Sequence, residues 1–344
     1  MKKLAMTCAL VVALSISSAS AEDTVGYASY GGAYQQAVRK AFLDPITADH
    51  GIKIRDYSLQ GGLPEVRAQV AAGAVEWDIV ELYAGQCQQA ANEGLLEPLD
   101  YNVIKNTAGI PKHLVADHWV GFTAYSTVLA YNKDVYKDNP PKNWADFFDV
   151  QKFPGTRALS GVSPAANLEI ALLAAGTPKD KIYPIDFDAA FKKLSEIKPN
   201  ISVWWGTGAQ AAQLAQSQEV DMLAIWAARI DAAIKEGAPY AYTLNEGVID
   251  VECLIVPKGA PNKEAAMKVI NYLTSPEYQA NLPQYIPYGP INQDAFKTGK
   301  ITPEQAENVV TSEKNLPLQI IIDKPFWAEN GQKGQELWDK FMQQ

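Results

Sequence analysis

The chain predicts an α/β fold built as two lobes joined by a hinge of two crossing strands. Short apolar strands alternate with helical stretches along most of the 344 residues, the pattern of mostly parallel sheets covered by helices. Two extended apolar runs, Ser126 to Tyr131 and Val248 to Val256, break that alternation and have no helix of their own nearby. At 47% apolar residues, a chain of this length can also build more than one core.

Met1 to Ala21 has the form of an export signal. Lys2 and Lys3 make a positive start, Leu4 to Ile16 are apolar, and Ala19-Ser20-Ala21 is a small-x-small cleavage site. The apolar stretch is too short to cross a bilayer, so the expectation is a soluble, exported protein beginning at Glu22. Cys8 lies inside the apolar stretch without a lipidation lead-in.

The first unit is a strand at Val25 to Ala28, then Tyr30-Gly31-Gly32 and a helix near Gln35 to Phe42. A helix from Pro64 to Ala72 leads into a strand at Asp78 to Val80. A strand ending at Ser160 precedes Ser163 as an N-cap, Pro164 in the first helical position and Gly176 as the closing residue. A helix near Ala209 to Gln218, the strand Val220 to Trp226 and a helix near Ala228 to Glu236 follow. After the second crossing, Pro257-Lys258-Gly259 turns the chain into a helix from Lys263 to Leu273. Lobe one is then expected to hold 22–127 plus 257–300, and lobe two 128–256 plus 301–344, with a cleft between them.

Cleavage removes Lys2 and Lys3 and takes the formal charge from −9 to −11. Phosphate backbones repel such a surface, so nucleic acid and anionic membranes are not expected partners. Cys87 and Cys253 stand far apart in apolar contexts. Buried free thiols are the expectation, with one long-range disulfide as the alternative in an oxidising compartment. Motifs for enzymatic chemistry are missing: there is no Walker loop, no G-x-G-x-x-G after a strand and no G-x-S-x-G elbow. His113 and His118 are five apart, which does not put them on one helical face. No cofactor or metal is expected.

Several motifs stand in order along the chain: Trp77-Asp78-Ile79-Val80, Gly94-Leu95-Leu96-Glu97-Pro98-Leu99-Asp100, Ser126-Thr127-Val128-Leu129-Ala130-Tyr131-Asn132, Trp144-Ala145-Asp146-Phe147-Phe148, Lys152-Phe153-Pro154-Gly155, Glu219-Val220-Asp221-Met222 and Asn262-Lys263-Glu264-Ala265-Ala266. Together they resemble the periplasmic solute-binding proteins of ABC importers, in the branch that includes polyamine binders. Each is weak alone, but their order and spacing span nearly the whole mature chain. The resemblance implies a type II-like periplasmic-binding-protein fold. It further implies a monomer that closes around a small-molecule ligand and presents it to a membrane permease.

Ligands of open α/β sheets bind beyond the carboxyl ends of the strands. That rule selects Tyr30, Glu81 and Tyr83, Ser163, and Trp226 with Arg229; the hinge adds Glu252 and the loop before Ala209 adds Trp205. Arg229 lies in the first turn of a helix and can grip a carboxylate with two parallel hydrogen bonds; the competing role is an ion pair with Asp221 or Glu252. Glu252 is flanked by apolar residues and is costly to bury without a cation. The resemblance implies that Glu252 holds an amine, while Tyr30, Trp226 and Tyr288 flank the methylene chain. Two departures stand against a diamine: Gly32 and Ser163 occupy positions where spermidine-type binders tend to carry acids, and Arg229 replaces a small polar residue. Trp144, Trp327 and Trp338 are assigned to packing, and of Trp204 and Trp205 only the second is placed at the cleft.

The expected ligand is therefore an ω-amino carboxylic acid such as γ-aminobutyrate. The alternatives are a polyamine such as putrescine or, in another class, an exported two-lobed enzyme acting on an amine or amino acid. A ferric-ion binder is disfavoured because no Tyr-Tyr pair occurs.

Overall fold

The computed structural model describes residues 24–344; the expected export signal lies outside the described residues. Ten strands form one continuous sheet: β1 (Thr24–Ser29), β2 (Lys53–Ser58), β3 (Ile79–Tyr83), β4 (Trp119–Asn132), β5 (Arg157–Ser160), β6 (Ile201–Trp205), β7 (Met222–Trp226), β8 (Tyr240–Ile255), β9 (Gly289–Pro290) and β10 (Ile320–Ile321). The order is β2-β1-β3-β8-β4-β7-β5-β6, with β9 added beside β4 and β10 beside β8. β2-β1-β3 and β7-β5-β6 are parallel sets. Between them lie β8 and β4, antiparallel to each other and to their outer neighbours.

β4 and β8 are the two crossing strands anticipated from the apolar runs, and they extend well beyond those runs to 14 and 16 residues. β8 pairs with β3 of lobe one near its C-terminal end, β4 pairs with β7 of lobe two near its own C-terminal end, and the two pair with each other along most of their length. Their pairing shifts register between Gly121 and Ala124 and again between Thr127 and Leu129. Irregularities of this kind add local twist and bend, here where the ribbon passes from lobe to lobe.

Most predicted elements stand close to their expected bounds; the helix Lys263–Leu273 matches at both ends. One start differs. The helix after β5 begins at Asn167, not at Pro164, because Ala166 takes a left-handed conformation with φ 69°. Ser163 is consequently not its N-cap. Its Oγ accepts from the Ala165 N–H at 3.1 Å, while Asn167 Nδ2 donates to the carbonyls of Ser160 and Ser163 and holds the turn.

The free-thiol expectation is overturned: Cys87 and Cys253 form a disulfide. The β3–β8 pairing brings the helix after β3 (Ala84–Asn92) alongside Cys253, at a Cα separation of 6.5 Å that a disulfide can bridge. A third connection between the lobes runs through β10. Residues before it pack on lobe one, where Val310 N–H donates to Pro287. After it the C-terminal helix Lys324–Gln343 covers lobe two, with Trp338 and Phe341 against Trp204.

Candidate ligand-binding site

The site is built where the carboxyl ends of β1, β3 and β7 meet the crossing strands. Alternation along β3 puts Glu81 and Tyr83 on one face, and Tyr83 lies opposite Glu252 of β8. Tyr125 of β4 lies opposite Asp250 of β8, one side-chain repeat further along the same face. These pairings join five tyrosines and a tryptophan into a chain of rings. Tyr30 stacks on Tyr83 at 4.8 Å, and Tyr83 meets Tyr125 at 6.1 Å. Tyr125 stacks on Tyr288 at 5.7 Å and takes the edge of Trp226 at 6.0 Å, while Tyr288 meets Tyr34 at 5.3 Å.

Two carboxylates sit among these rings in different states. Glu81 is wholly buried with its hydrogen bonds filled: Oε2 accepts from Tyr27 at 2.7 Å and Ser29 at 2.8 Å, and Oε1 accepts from Tyr34. Glu252 is 4% exposed, and its Oε2 is buried with no hydrogen-bond partner among the described residues. Burial raises Glu81 to about 7 even though the Tyr34, Tyr27 and Ser29 hydroxyls pull it down. Burial, and then the charge of Glu81, holds Glu252 well above the ordinary carboxylate range. An ionised Glu252 is tolerable only with a cation against it.

The cationic side of the site is Arg229, in the first turn of the helix Ala227–Lys235. It has no ion pair or hydrogen bond among the described residues. The two predicted competitors are not its partners among the described residues: Asp221 Oδ2 is held by the N–H and hydroxyl of Thr156 at 2.7 and 2.9 Å, and Glu252 Oε2 has no hydrogen-bond partner there. Two glycines make room for the guanidinium. A Cβ on Gly208 would lie 2.9 Å from Arg229 Nε and 2.6 Å from the Trp226 ring. A Cβ on Gly32, whose φ is +62°, would lie 3.4 Å from Arg229 Nη1, so the arginine of lobe two reaches the helix start of lobe one. Burial raises Tyr83 and Tyr288 well above the ordinary tyrosine value, Glu252 adds to the rise in both, and Arg229 opposes it in both. The same two rings thus lie in the fields of both charges.

The other predicted residues divide. Tyr30, Tyr83, Trp226 and Tyr288 belong to the ring chain. Glu81 stands behind it, bonded to hydroxyls. Trp205 is fully buried, donates its indole N–H to the Ala224 carbonyl at 2.9 Å and packs edgewise on Trp226 at 5.3 Å, so it backs the site from the core. Ser163 has no hydrogen bond to any of these residues. Tyr34, Tyr125 and Asp250 were missed. Asp250 carried a usable signal, since it is two residues from Glu252 on an extended strand; Tyr125 lies one residue before the predicted crossing run. Trp144, Trp327 and Trp338 are core residues, as expected.

The raised Glu81 carboxyl has a consequence for stability. Its contribution to folding is complete below its ordinary value of 4.5 and is lost as pH rises through about 7. The melting temperature of the unliganded protein should therefore fall across that window, by an amount on the order of 3 kcal/mol in stability. Glu252 adds to this loss with the same sign, so Glu81→Gln should reduce the slope without abolishing it. A slope as steep in Glu81→Gln as in the wild type would remove Glu81 as its source.

Comparison with known proteins agrees with the fold. Residues 41–308 match a family model described as bacterial extracellular solute-binding protein. A γ-aminobutyric acid-binding protein of Pseudomonas aeruginosa is 33% identical over 310 residues, covering 89% of this chain and 87% of the relative. Among solved structures, an ABC transporter substrate-binding protein from Bradyrhizobium japonicum aligns with a TM-score of 0.90 at 42% identity, covering 93% of this chain and 99% of that one. The binding protein MotA from A. tumefaciens B6, solved in complex with glucopine, aligns with a TM-score of 0.85 at 40% identity over 92% of this chain and 99% of its own. The chain belongs to the bacterial extracellular solute-binding proteins and is the substrate-binding protein of an ABC transporter.

Proposed function

We propose that this protein captures a small ω-amino carboxylic acid, with γ-aminobutyrate the leading candidate, and delivers it to a membrane permease without turning it over. One observation carries the reading: Glu252, a buried carboxylate whose Oε2 has no partner among the described residues, and Arg229, a guanidinium with no ion pair among them, act on the same tyrosines. A zwitterion would satisfy both charges at once. In this scheme Glu252 receives the ammonium, Arg229 the carboxylate, and Tyr30, Tyr83, Tyr125, Tyr288 and Trp226 enclose the methylene chain and the cation. The 33% identical γ-aminobutyric acid-binding relative supports it. The protein acts in the periplasm as a monomer, after removal of residues 1–21.

A second reading rests on a groove of about 170 Å³ between the Gly32–Val38 and Ala227–Lys235 helices, lined by Tyr34, Lys40, Arg229, Lys235, Tyr285 and Tyr288. A solute that extends past Arg229 would enter it, and the glucopine bound by MotA is the candidate. Native mass spectrometry of freshly purified periplasmic protein decides between the readings. The expected result is a mature chain beginning at Glu22 and carrying one retained ω-amino acid. A retained diamine would sink the main reading, and retained glucopine would establish the second.

A further inference from the structure

We propose that Lys324 is a specificity-determining residue: by pairing with Asp250 on the hinge floor, it leaves Glu252 as the cleft's one available carboxylate and so selects a monoamine over a diamine. The inference deepens the ω-amino acid reading and rests on it. Asp250 and Glu252 leave β8 on the same face, separated by Val251, and Tyr125 of the ring chain lies opposite Asp250. Tyr125 Oη donates to Asp250 Oδ2 at 3.1 Å, which places that carboxylate directly beside the rings. Its other oxygen, Oδ1, pairs with Lys324 Nζ, and the two side chains are only 15% and 11% exposed.

Lys324 opens the C-terminal helix directly after β10 has run along Val248 and Ile249 of the hinge. Its position thus depends on the third interlobe connection. Glu169 is the other acid that acts on Lys324; it is wholly buried, its Oε1 accepts from Tyr183 at 2.6 Å and Trp327 at 2.8 Å, and its Oε2 has no hydrogen-bond partner among the described residues, but no ion pair joins it to the lysine there as one joins Asp250. Asp250 is the acid that the lysine withholds from the cleft. With Lys324 present, the charges facing a ligand are those of Glu252 and Arg229, which suit a zwitterion. Without it, Asp250 stands two residues from Glu252 as a second anion on the same face, and a second ammonium gains a partner.

The test is calorimetric titration of putrescine, and in parallel γ-aminobutyrate, into wild type, Lys324→Gln, Lys324→Arg, Asp250→Asn and Asp250→Asn/Lys324→Gln. Glutamine keeps a donor for Asp250 while removing the charge. Putrescine should bind Lys324→Gln at least tenfold tighter than wild type, Lys324→Arg should behave as wild type, and the double variant should return to within threefold of wild type. Asp250→Asn, which leaves the lysine charge uncompensated, should weaken putrescine instead and decides the matter if Lys324→Gln does not fold. Putrescine affinities that differ by less than threefold across the variants, or a double variant that binds like Lys324→Gln, would overturn the proposal. Failure of wild type to bind γ-aminobutyrate would count against the ω-amino acid reading alone, because the putrescine comparison stands without it.

Discussion

Arg229→Ala should eliminate measurable binding of γ-aminobutyrate while leaving the melting temperature of the unliganded protein unchanged or slightly higher. The guanidinium has no ion pair among the described residues to lose, and Gly32 and Gly208 give it space without holding it. Its removal relieves a partly desolvated charge and breaks no structural bond. In the complex the situation reverses, because a carboxylate enclosed between the lobes would lose its charged partner. Truncating one side of a buried charge pair costs on the order of 2 to 5 kcal/mol, or about thirty to several thousandfold in Kd. Calorimetry and thermal melts on the same variant separate the outcomes. A melting temperature lowered by many degrees in the absence of ligand would assign Arg229 to the scaffold.

The second large effect lies at the other end of the ligand. Compared at low salt, γ-aminobutyrate should bind far more tightly than its amide, which gives Arg229 no carboxylate, and more tightly than putrescine, which sets an ammonium against it. Each loss should again be on the order of 2 to 5 kcal/mol, because the protein group is left buried and unpaired. Glu252→Gln should weaken γ-aminobutyrate with Arg229 intact. It should also stabilise the unliganded protein, because burial and the nearby Glu81 charge already disfavour an ionised Glu252 and its Oε2 has no hydrogen-bond partner among the described residues to lose. Putrescine binding as tightly as every amino acid tried would replace the zwitterion with a polyamine. A Glu252→Gln variant with unchanged affinity would move the amine subsite elsewhere.

What could be inferred without coordinates divides along the range of the interactions involved. Strand and helix identity, the two crossing strands and the candidates at strand ends are local or periodic properties. Apolar alternation, Pro and Gly punctuation and the rule that ligands gather at carboxyl ends are enough to find them. Arg229 and Glu252 stood out as candidates on that basis because each violates its surroundings: a cation at a helix start, and an acid inside an apolar run.

The partners of those residues were decided by contacts between distant parts of the chain. Asp221, one predicted partner of Arg229, is instead taken by Thr156, across a strand pairing no local pattern encodes, and Arg229 has no ion pair among the described residues. Glu81 looked like a ligand contact, yet the β1–β3 pairing and the helix start at Tyr34 deliver three hydroxyls to it. Trp205 and Trp226 both close strands of lobe two, and only the packing of one on the other showed which stands behind. Cys87 and Cys253, 166 residues apart, became a disulfide through the β3–β8 register, and Lys324 reached Asp250 through a two-residue strand too short to carry a pattern. By itself, the sequence determined a two-lobed α/β protein with a charged cleft. Tertiary structure alone decided which charges in that cleft are spent and which are left for a ligand, because a side chain's hydrogen-bond and charge partners are set by its neighbours in space, and those neighbours lie tens to hundreds of residues away.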